Sequence, residues 1–301
     1  MAEADRIFRL AFGTFVGLPD PLSFAGGREF VLTRWRINPP GALAAECNGE
    51  LVGSNFAASW GSLGFFGPLT VRPDFWDRSV GKRLMEGTMP LFEKVGTRHA
   101  GLFTFPHSPK HVGLYNKFGF FPRFLTALMA KALTPIPSAP EPSMFSALRP
   151  SQQAETLRGC REITESLYEG LNLETEIRAV QKFQLGDTVL VWDNSGLSAF
   201  AVCHFGKGTE GGPERCYIKF GAARLDMHAG DNFDRLLDAC HVLSAMHSLP
   251  NIEAGVSFAC DDAYRRMRAR GFRTFAHGVT MHKPNEPGYH RPDVYAIDDW
   301  R

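Results

Sequence analysis

A shift of 152 residues lays this chain on itself: Arg83 falls on Arg235, Leu84 on Leu236, Gly119 on Gly271, Phe120 on Phe272, Met129 on Met281 and Lys131 on Lys283, with no gap. Repetition at this spacing constrains the fold more than any single motif, because two like units must each bury a core of similar shape. A length of 301 residues suits two domains of ordinary size. Between the copies lies Thr134–Ser143, TPIPSAPEPS, where four prolines in ten residues exclude helix and central strand. An exposed linker is expected there. The division is therefore 1–133, linker 134–143, and 144–301.

Apolar patterning predicts the same order of elements on both sides of the linker. In the first half, Ile7–Val16 and Phe30–Arg36 read as helices, and Gly41–Cys47 and Leu51–Trp60 as strands joined by Asn48-Gly49, a hairpin signal. Leu63–Val71 reads as one strand, Asp77–Val95 as a helix, His99–Phe105 as a strand, Lys110–Phe118 as a short helix closed by Gly119, and Phe120–Met129 as a strand. In the second half, Met144–Leu148, Thr188–Trp192, Leu197–Phe205, Cys216–Leu225, Ile252–Ala259 and Arg273–His282 read as strands. Gln152–Gln184, Asn232–Ser248 and Asp261–Arg270 read as helices. The fold class is α/β (α+β).

The formal net charge of +1 argues against a nucleic-acid protein held by phosphate contacts. Residues 1–133 carry 15 Lys and Arg against 10 Asp and Glu, so the first half suits a small anionic ligand. No apolar run approaches the ~20 residues of a membrane span, and Asp5, Arg6 and Arg9 exclude a secretory signal at the N-terminus. The six cysteines form no C-x-x-C pair and read as reduced thiols of a cytoplasmic protein, with no zinc site or other metal.

Chemistry concentrates in Leu69–Leu84, LTVRPDFWDRSVGKRL, where a strand runs through a loop into a basic helix. Backbone N–H groups in a first helical turn have no partner, and the helix dipole adds positive character, so a pyrophosphate can sit there. Gly81 leaves room for that approach, and Arg78, Lys82 and Arg83 surround it with charge. Downstream lies Ser108–Phe120, SPKHVGLYNKFGF.

These two segments resemble the GCN5-related N-acetyltransferase (GNAT) superfamily. Val71, Pro73, Arg78 and Gly81 match its pyrophosphate signature V-x-P-x-x-[QR]-x-x-G-x-[GA], with slightly different spacing and with Arg83 in place of Gly or Ala. Leu114, Tyr115, Lys117, Gly119 and Phe120 match its closing motif, while Ser108 and His111 replace Asn and Ala. The resemblance implies two tandem GNAT folds, each with a mixed sheet and splayed parallel strands. It also implies acetyl-CoA or another acyl-CoA as co-substrate, with no metal, held by Leu69, Val71, Arg78, Ser79, Val80, Gly81, Lys82, Arg83 and Ser108. Pantetheine would pair with the strand edge near Leu69 and Val71. Tyr115 would protonate the departing thiolate, and a backbone N–H near Leu69 would hold the oxyanion.

The implied activity is acyl transfer to an amine, on a small molecule or a protein. A non-catalytic acyl-CoA sensor, a decarboxylase and an S- or O-acyltransferase stand as alternatives. The strand Leu63–Val71 carries no acid to serve as base. His107 is the nearest substitute and His111 the second, since imidazole titrates near ~6.5. In the second copy Gly81 becomes Phe233, Lys82 becomes Asp234 and Tyr115 becomes Met267. That half reads as a degenerate copy with a structural or acceptor-shaping role. The sequence leaves the oligomeric state open.

Overall fold

The computed structural model describes residues 1–133 and 141–301; residues 134–140, most of the expected linker, lie outside the described residues. The first half runs α1 (Ala2–Phe15), α2 (Val31–Ile37), β1 (Ala42–Cys47), β2 (Glu50–Trp60), β3 (Leu63–Phe66), β4 (Thr70–Val71), α3 (Val80–Lys94), β5 (His99–Thr104), α4 (Pro109–Asn116) and β6 (Phe121–Ala132). The second runs β7 (Ser143–Met144), α5 (Pro150–Leu167), α6 (Glu174–Phe183), β8 (Gly186–Asp193), β9 (Gly196–Gly206), β10 (Gly212–Ala223), α7 (Ala229–Met246), β11 (Asn251–Ser257), α8 (Asp261–Ala269), β12 (Arg273–Lys283) and β13 (Ala296–Ile297).

Local chemistry accounts for the boundaries. Asn48 and Gly49 both take left-handed φ, 52° and 79°, as a two-residue hairpin turn between β1 and β2 requires. Gly119 and Gly271 follow α4 and α8 at φ 84° and 92°, a conformation that costs glycine nothing. Leu63–Val71 is not one strand. The chain breaks at Gly67-Pro68, where proline has no N–H for a ladder, and resumes as β4 against β2. Gln152–Gln184 is likewise two helices, parted by a turn in which Gly170 sits at φ 79°. Met144–Leu148 shortens to β7 followed by a 3-10 turn.

All the strands join in a 13-stranded sheet of order β1-β2-β3-β5-β12-β6-β11-β10-β9-β8-β7, with β4 on β2 and β13 on β10. β6 and β12 have each crossed into the other half. β12 pairs with β5 (Val279↔Thr104) and β6 with β11 (Val256↔Ala127), registers that superimpose on a shift of 152. β6 and β12 pair antiparallel with each other, and at their centre Thr126 faces Gly278, again 152 apart. A local two-fold axis passes there. The parallel pairs repeat as well: β3 with β5 from Leu63↔His99, β10 with β11 from Arg215↔Asn251. Lys283 donates to the Phe118 carbonyl at 2.9 Å beside Gly119, and Lys131 lies in the same way beside Gly271.

The largest core cluster mixes the halves: Trp60, Leu63 and Phe65 pack with Phe200, Phe220 and Ile297. Beside the central strands, His99 and His282 are fully buried and share a 2.9 Å hydrogen bond between Nε2 and Nδ1. Burial holds the His99 pKa down at about 4, with His290 and Arg123 adding repulsion, and burial depresses His282 too.

A histidine whose folded pKa lies below its unfolded value destabilises the fold as pH falls from ~6.5 toward 4, and contributes nothing above that window. Between pH 7 and 5 the native chain should therefore lose about 2 kcal/mol relative to a His99→Asn variant. Denaturant unfolding of both chains at the two pH values reads this directly. A gap that stays constant would mean that His99 is protonated in the folded state.

Candidate active site

The parallel pair β3–β5 holds only from Leu63↔His99 to Phe65↔Gly101. Beyond it β5 continues against β12, while the other strand turns away through residues 67–69 to place β4 on β2. A cavity of about 1260 Å³ occupies the opening.

One side of this cavity gathers Leu69, Val71, Ser79, Val80, Gly81, Lys82 and Tyr115. Asp77 and Ser79 both adopt left-handed φ, 62° and 60°, and so swing the chain sharply into α3. Arg83 is the first helical amide to bond back, to Ser79 at 3.1 Å. The amides of Val80, Gly81 and Lys82 thus open the helix with no carbonyl upstream to accept them. A Cβ on Gly81 would sit 3.4 Å from Leu114 and 3.9 Å from Val71, so the bare glycine faces the gap between β4 and α4. Arg78 packs over the Phe75 ring at 5.0 Å. Arg78 and Arg83 are exposed and lie outside the cavity lining, with Arg78 near enough to Asp74 to lower its pKa, while Lys82 pairs with Glu86 at 3.4 Å. The Trp76 indole N–H donates to the Val71 carbonyl at 2.7 Å, so that carbonyl is already engaged.

Tyr115 is 7% exposed, and its ring lies 5.6 Å from Phe66. Burial pushes its pKa well above the usual phenol value, so the hydroxyl carries its proton at neutral pH. One turn earlier, His111 also lines the cavity. Its ring packs on Phe15 at 4.7 Å, its Nδ1 has no hydrogen-bond partner, and burial together with Lys110 lowers its pKa.

Besides Arg78 and Arg83, two further sequence assignments do not join this group. His107 is exposed, outside the cavity wall, and its ring stacks against Phe15 at 6.1 Å. The turn that starts α4 directs it outward, since the Ser108 amide bonds back to Phe105. Ser108 caps α4 instead of facing a ligand, its hydroxyl accepting the His111 amide at 3.3 Å.

The opposite wall comes largely from elements that no motif marks. Phe8, Phe12 and Phe15 of α1 contribute rings, and the second half contributes Gly211–Arg215, Phe275, Trp300 and Arg301. Behind them Glu253 pairs with Arg28 at 2.9 Å and Arg301 at 2.6 Å, and Asp299 accepts the Tyr217 hydroxyl at 2.9 Å. The sequence offered no signal for Arg28, Trp300 or Arg301, because only the strand exchange brings them here.

In the second half the corresponding cradle is filled. Phe233 and Met267 are fully buried core. Asp234 is 2.6 Å from Arg266 and 3.0 Å from Arg270, and a Cβ on Gly230, the counterpart of Arg78, would strike Arg266. Arg266 and Arg270 are thus neutralised within the protein. Among the described residues no group of His, Cys, Asp or Glu could hold a metal, and no helix is long and apolar enough to cross a membrane.

Splayed parallel strands, a helix N-terminus at their edge and a buried tyrosine in the opening define a GNAT-type acyltransferase fold, here in tandem. Residues 6–120 match the acetyltransferase (GNAT) family model. Among solved structures, a putative acetyltransferase from Pyrococcus horikoshii superimposes with a TM-score of 0.68 at 15% identity, over 99% of this chain and 91% of that one. A GCN5-related N-acetyltransferase from Sphaerobacter thermophilus gives 0.59 at 14% identity, over 94% and 92%. A tandem GNAT protein from the clavulanic acid biosynthesis pathway gives 0.53 at 13%, over 93% and 94%. No curated protein matches the chain in sequence.

The cradle sets an expectation for binding. Gly81→Leu should weaken acetyl-CoA by at least about tenfold, the equivalent of one lost hydrogen bond to a charged group. The melting temperature should change little, because a Cβ at Gly81 makes only ordinary van der Waals contacts with Leu114, Leu69 and Val71 and the rest of the side chain can extend into the cavity. Calorimetry on the parent chain should give one site per chain; two equivalent sites would contradict the filled second cradle.

Proposed function

We propose that the chain is an acyl-CoA-dependent N-acyltransferase, with acetyl-CoA as donor, that acts on a small amine with an apolar body. The observation that carries this is Tyr115: a buried, protonated hydroxyl-bearing ring in the same cavity as the Val80–Lys82 amides. A passive binding protein needs the amides but has no use for an acid at the thioester.

In this reading the α3 amides and Lys82 hold the pyrophosphate, with Arg78 and Arg83 adding charge outside. Pantetheine runs past Leu69 and Gly81 toward the opening. The amine nitrogen attacks the thioester carbonyl from the side of α1 and the second half. A backbone N–H near Leu69 stabilises the oxyanion. As the C–S bond breaks, Tyr115 gives its proton to the sulfur. The proton lost by nitrogen goes to His111, which replaces His107 as the proposed base because it lines the cavity and burial favours its neutral form. The rings of Phe8, Phe12 and Phe15, with the wall from the second half, favour a small apolar acceptor over an extended protein surface.

Mass spectrometry of the protein with acetyl-CoA and a pooled amine library should yield an acetylated product; its absence would leave the sensor reading. With that amine, Tyr115→Phe should lower kcat by about 10²–10⁴-fold and leave acetyl-CoA affinity nearly unchanged. His111→Phe should abolish an acid limb lying below pH ~6.5, whereas His107→Phe should leave the pH profile in place. Wild-type kcat in Tyr115→Phe, with chemistry rate-limiting, would reduce Tyr115 to a core residue.

A further inference from the structure

The second half keeps the opening that forms the cavity in the first, and fills it. β10 and β11 run parallel as far as Ile218↔Ala254 and then part. Into the gap comes β13, antiparallel to β10 at Gly221↔Ile297 and Ala222↔Ala296. The Ala223 amide donates to the Tyr295 carbonyl at 3.1 Å. Positions 221, 222 and 223 correspond, at the shift of 152, to Leu69, Thr70 and Val71. That is the stretch on which the proposed function lays the pantetheine arm.

Two glycines mark the path onward. A Cβ on Gly255 of β11 would collide with Asp299, and one on Gly101 of β5 would collide with the Trp300 ring. Absence of a side chain at both points lets the segment pass close to the strands. The segment is also anchored by buried polar contacts. Tyr289 donates to Asp298 at 2.6 Å, the Trp300 indole donates to the Tyr289 hydroxyl at 3.0 Å, and Tyr217 donates to Asp299 at 2.9 Å. Beyond the gap, Trp300 and Arg301 reach the wall of the first half's cavity.

We propose that the groove between β10 and β11 is an extended-peptide site whose occupant is segment 294–301 of this chain, lying where a pantetheine arm lies in the first half, and that this occupant sets Trp300 and Arg301 in the acceptor wall. The comparison with pantetheine rests on the acyltransferase reading of Leu69–Val71. Main-chain pairing with an exposed strand edge supplies affinity in both cases, and the flanking side chains select the occupant. The duplicated half has replaced a coenzyme with a strand of its own, and the strand completes the other half's site.

The test starts from the folded, full-length protein, cut afterwards at a protease site placed in the exposed stretch 285–287. The fragment that carries 294–301 should co-elute with the body under native conditions and separate only in denaturant. In uncut Gly255→Val, hydrogen exchange at 221–223 and at 294–301 should quicken together by about tenfold or more, as for one cooperative unit. If that variant does not fold, Ile297→Pro is read in the same way. Release of the fragment from the native cut protein, or unchanged exchange in a folded Gly255→Val chain, would overturn the proposal. Acetyl-CoA calorimetry on the same samples separates the two readings. Failure of the parent to bind acetyl-CoA would sink the acyltransferase reading alone, since fragment retention and exchange use no coenzyme.

Discussion

The pairing of β6 with β12 about Thr126 and Gly278 is the contact on which the rest of the molecule depends. Each of these strands is flanked on its other side by a strand of the opposite half, β11 beside β6 and β5 beside β12. Either half alone would present β5 or β11 as an unpaired edge, with backbone groups open to aggregation. Exchange removes both edges at once and makes a single sheet of two units. The relation of the halves is therefore set by ladder hydrogen bonds and not by the proline-rich connection between them. The equivalence at the axis is broken in one respect: Gly278 cannot bear a side chain, because a Cβ there would strike the Phe103 ring. Phe103 is itself on the cavity wall, so the departure from symmetry begins beside the site.

Symmetry of frame with asymmetry of chemistry runs through the whole chain. Register, turn glycines and the paired lysines repeat at 152, yet the helix N-termini that could hold phosphate do not. In the first half the acids near the basic helix are exposed and loosely placed: Lys82 meets Glu86 at 3.4 Å, and Arg78 acts on Asp74 without a close ion pair. In the second, Asp234 sits where Lys82 does and binds Arg266 and Arg270. Charge left unpaired around free amides invites an anion; charge closed into a local network does not.

The sequence showed those features whose cause is local. Asn48-Gly49 fixes a hairpin, and Gly119 and Gly271 end their helices at positive φ. The apolar run Leu63–Val71 hides the break at Gly67-Pro68, since its pattern alone reads as one strand. Strand exchange left no trace, because the patterns of β6 and β12 satisfy a partner in either half equally well. The cradle of Val80–Lys82 and the buried Tyr115 could be read because short motifs carry them on defined elements. The choice between His107 and His111 could not, since a single turn at the start of α4 decides which ring faces the cavity. Arg28, Trp300 and Arg301 were hidden because no motif marks them and contacts between the halves place them: Arg28 pairs with Glu253, 225 residues away, and the Trp300 ring lies against Gly101 of the other half.

A second link between the halves bears on how the cavity keeps its shape. Arg34 of α2 bonds Glu210 at 3.0 Å, Lys219 bonds both Glu210 and Glu176 at 3.0 Å, and Trp60 of β2 donates to Glu176 at 3.3 Å. All of these groups are buried. The nearby Lys219, and His204 after it, hold the Glu176 carboxyl down at about 2 against the opposing effect of burial. Such networks add little net stability over an apolar core, but losing one member strands the others in a medium that cannot solvate them. Their geometry is consequently stiff. Arg34 also donates to the Gly67 carbonyl at 2.6 Å, and the Arg28 side chain donates to the Glu210 carbonyl at 2.7 Å. The network thus grips the chain at the break between β3 and β4, where the opening starts, and at Arg28, on the cavity wall. The second half, whose own helix N-terminus is closed by Phe233 and Asp234, fixes the mouth of the first half's cavity through buried charges.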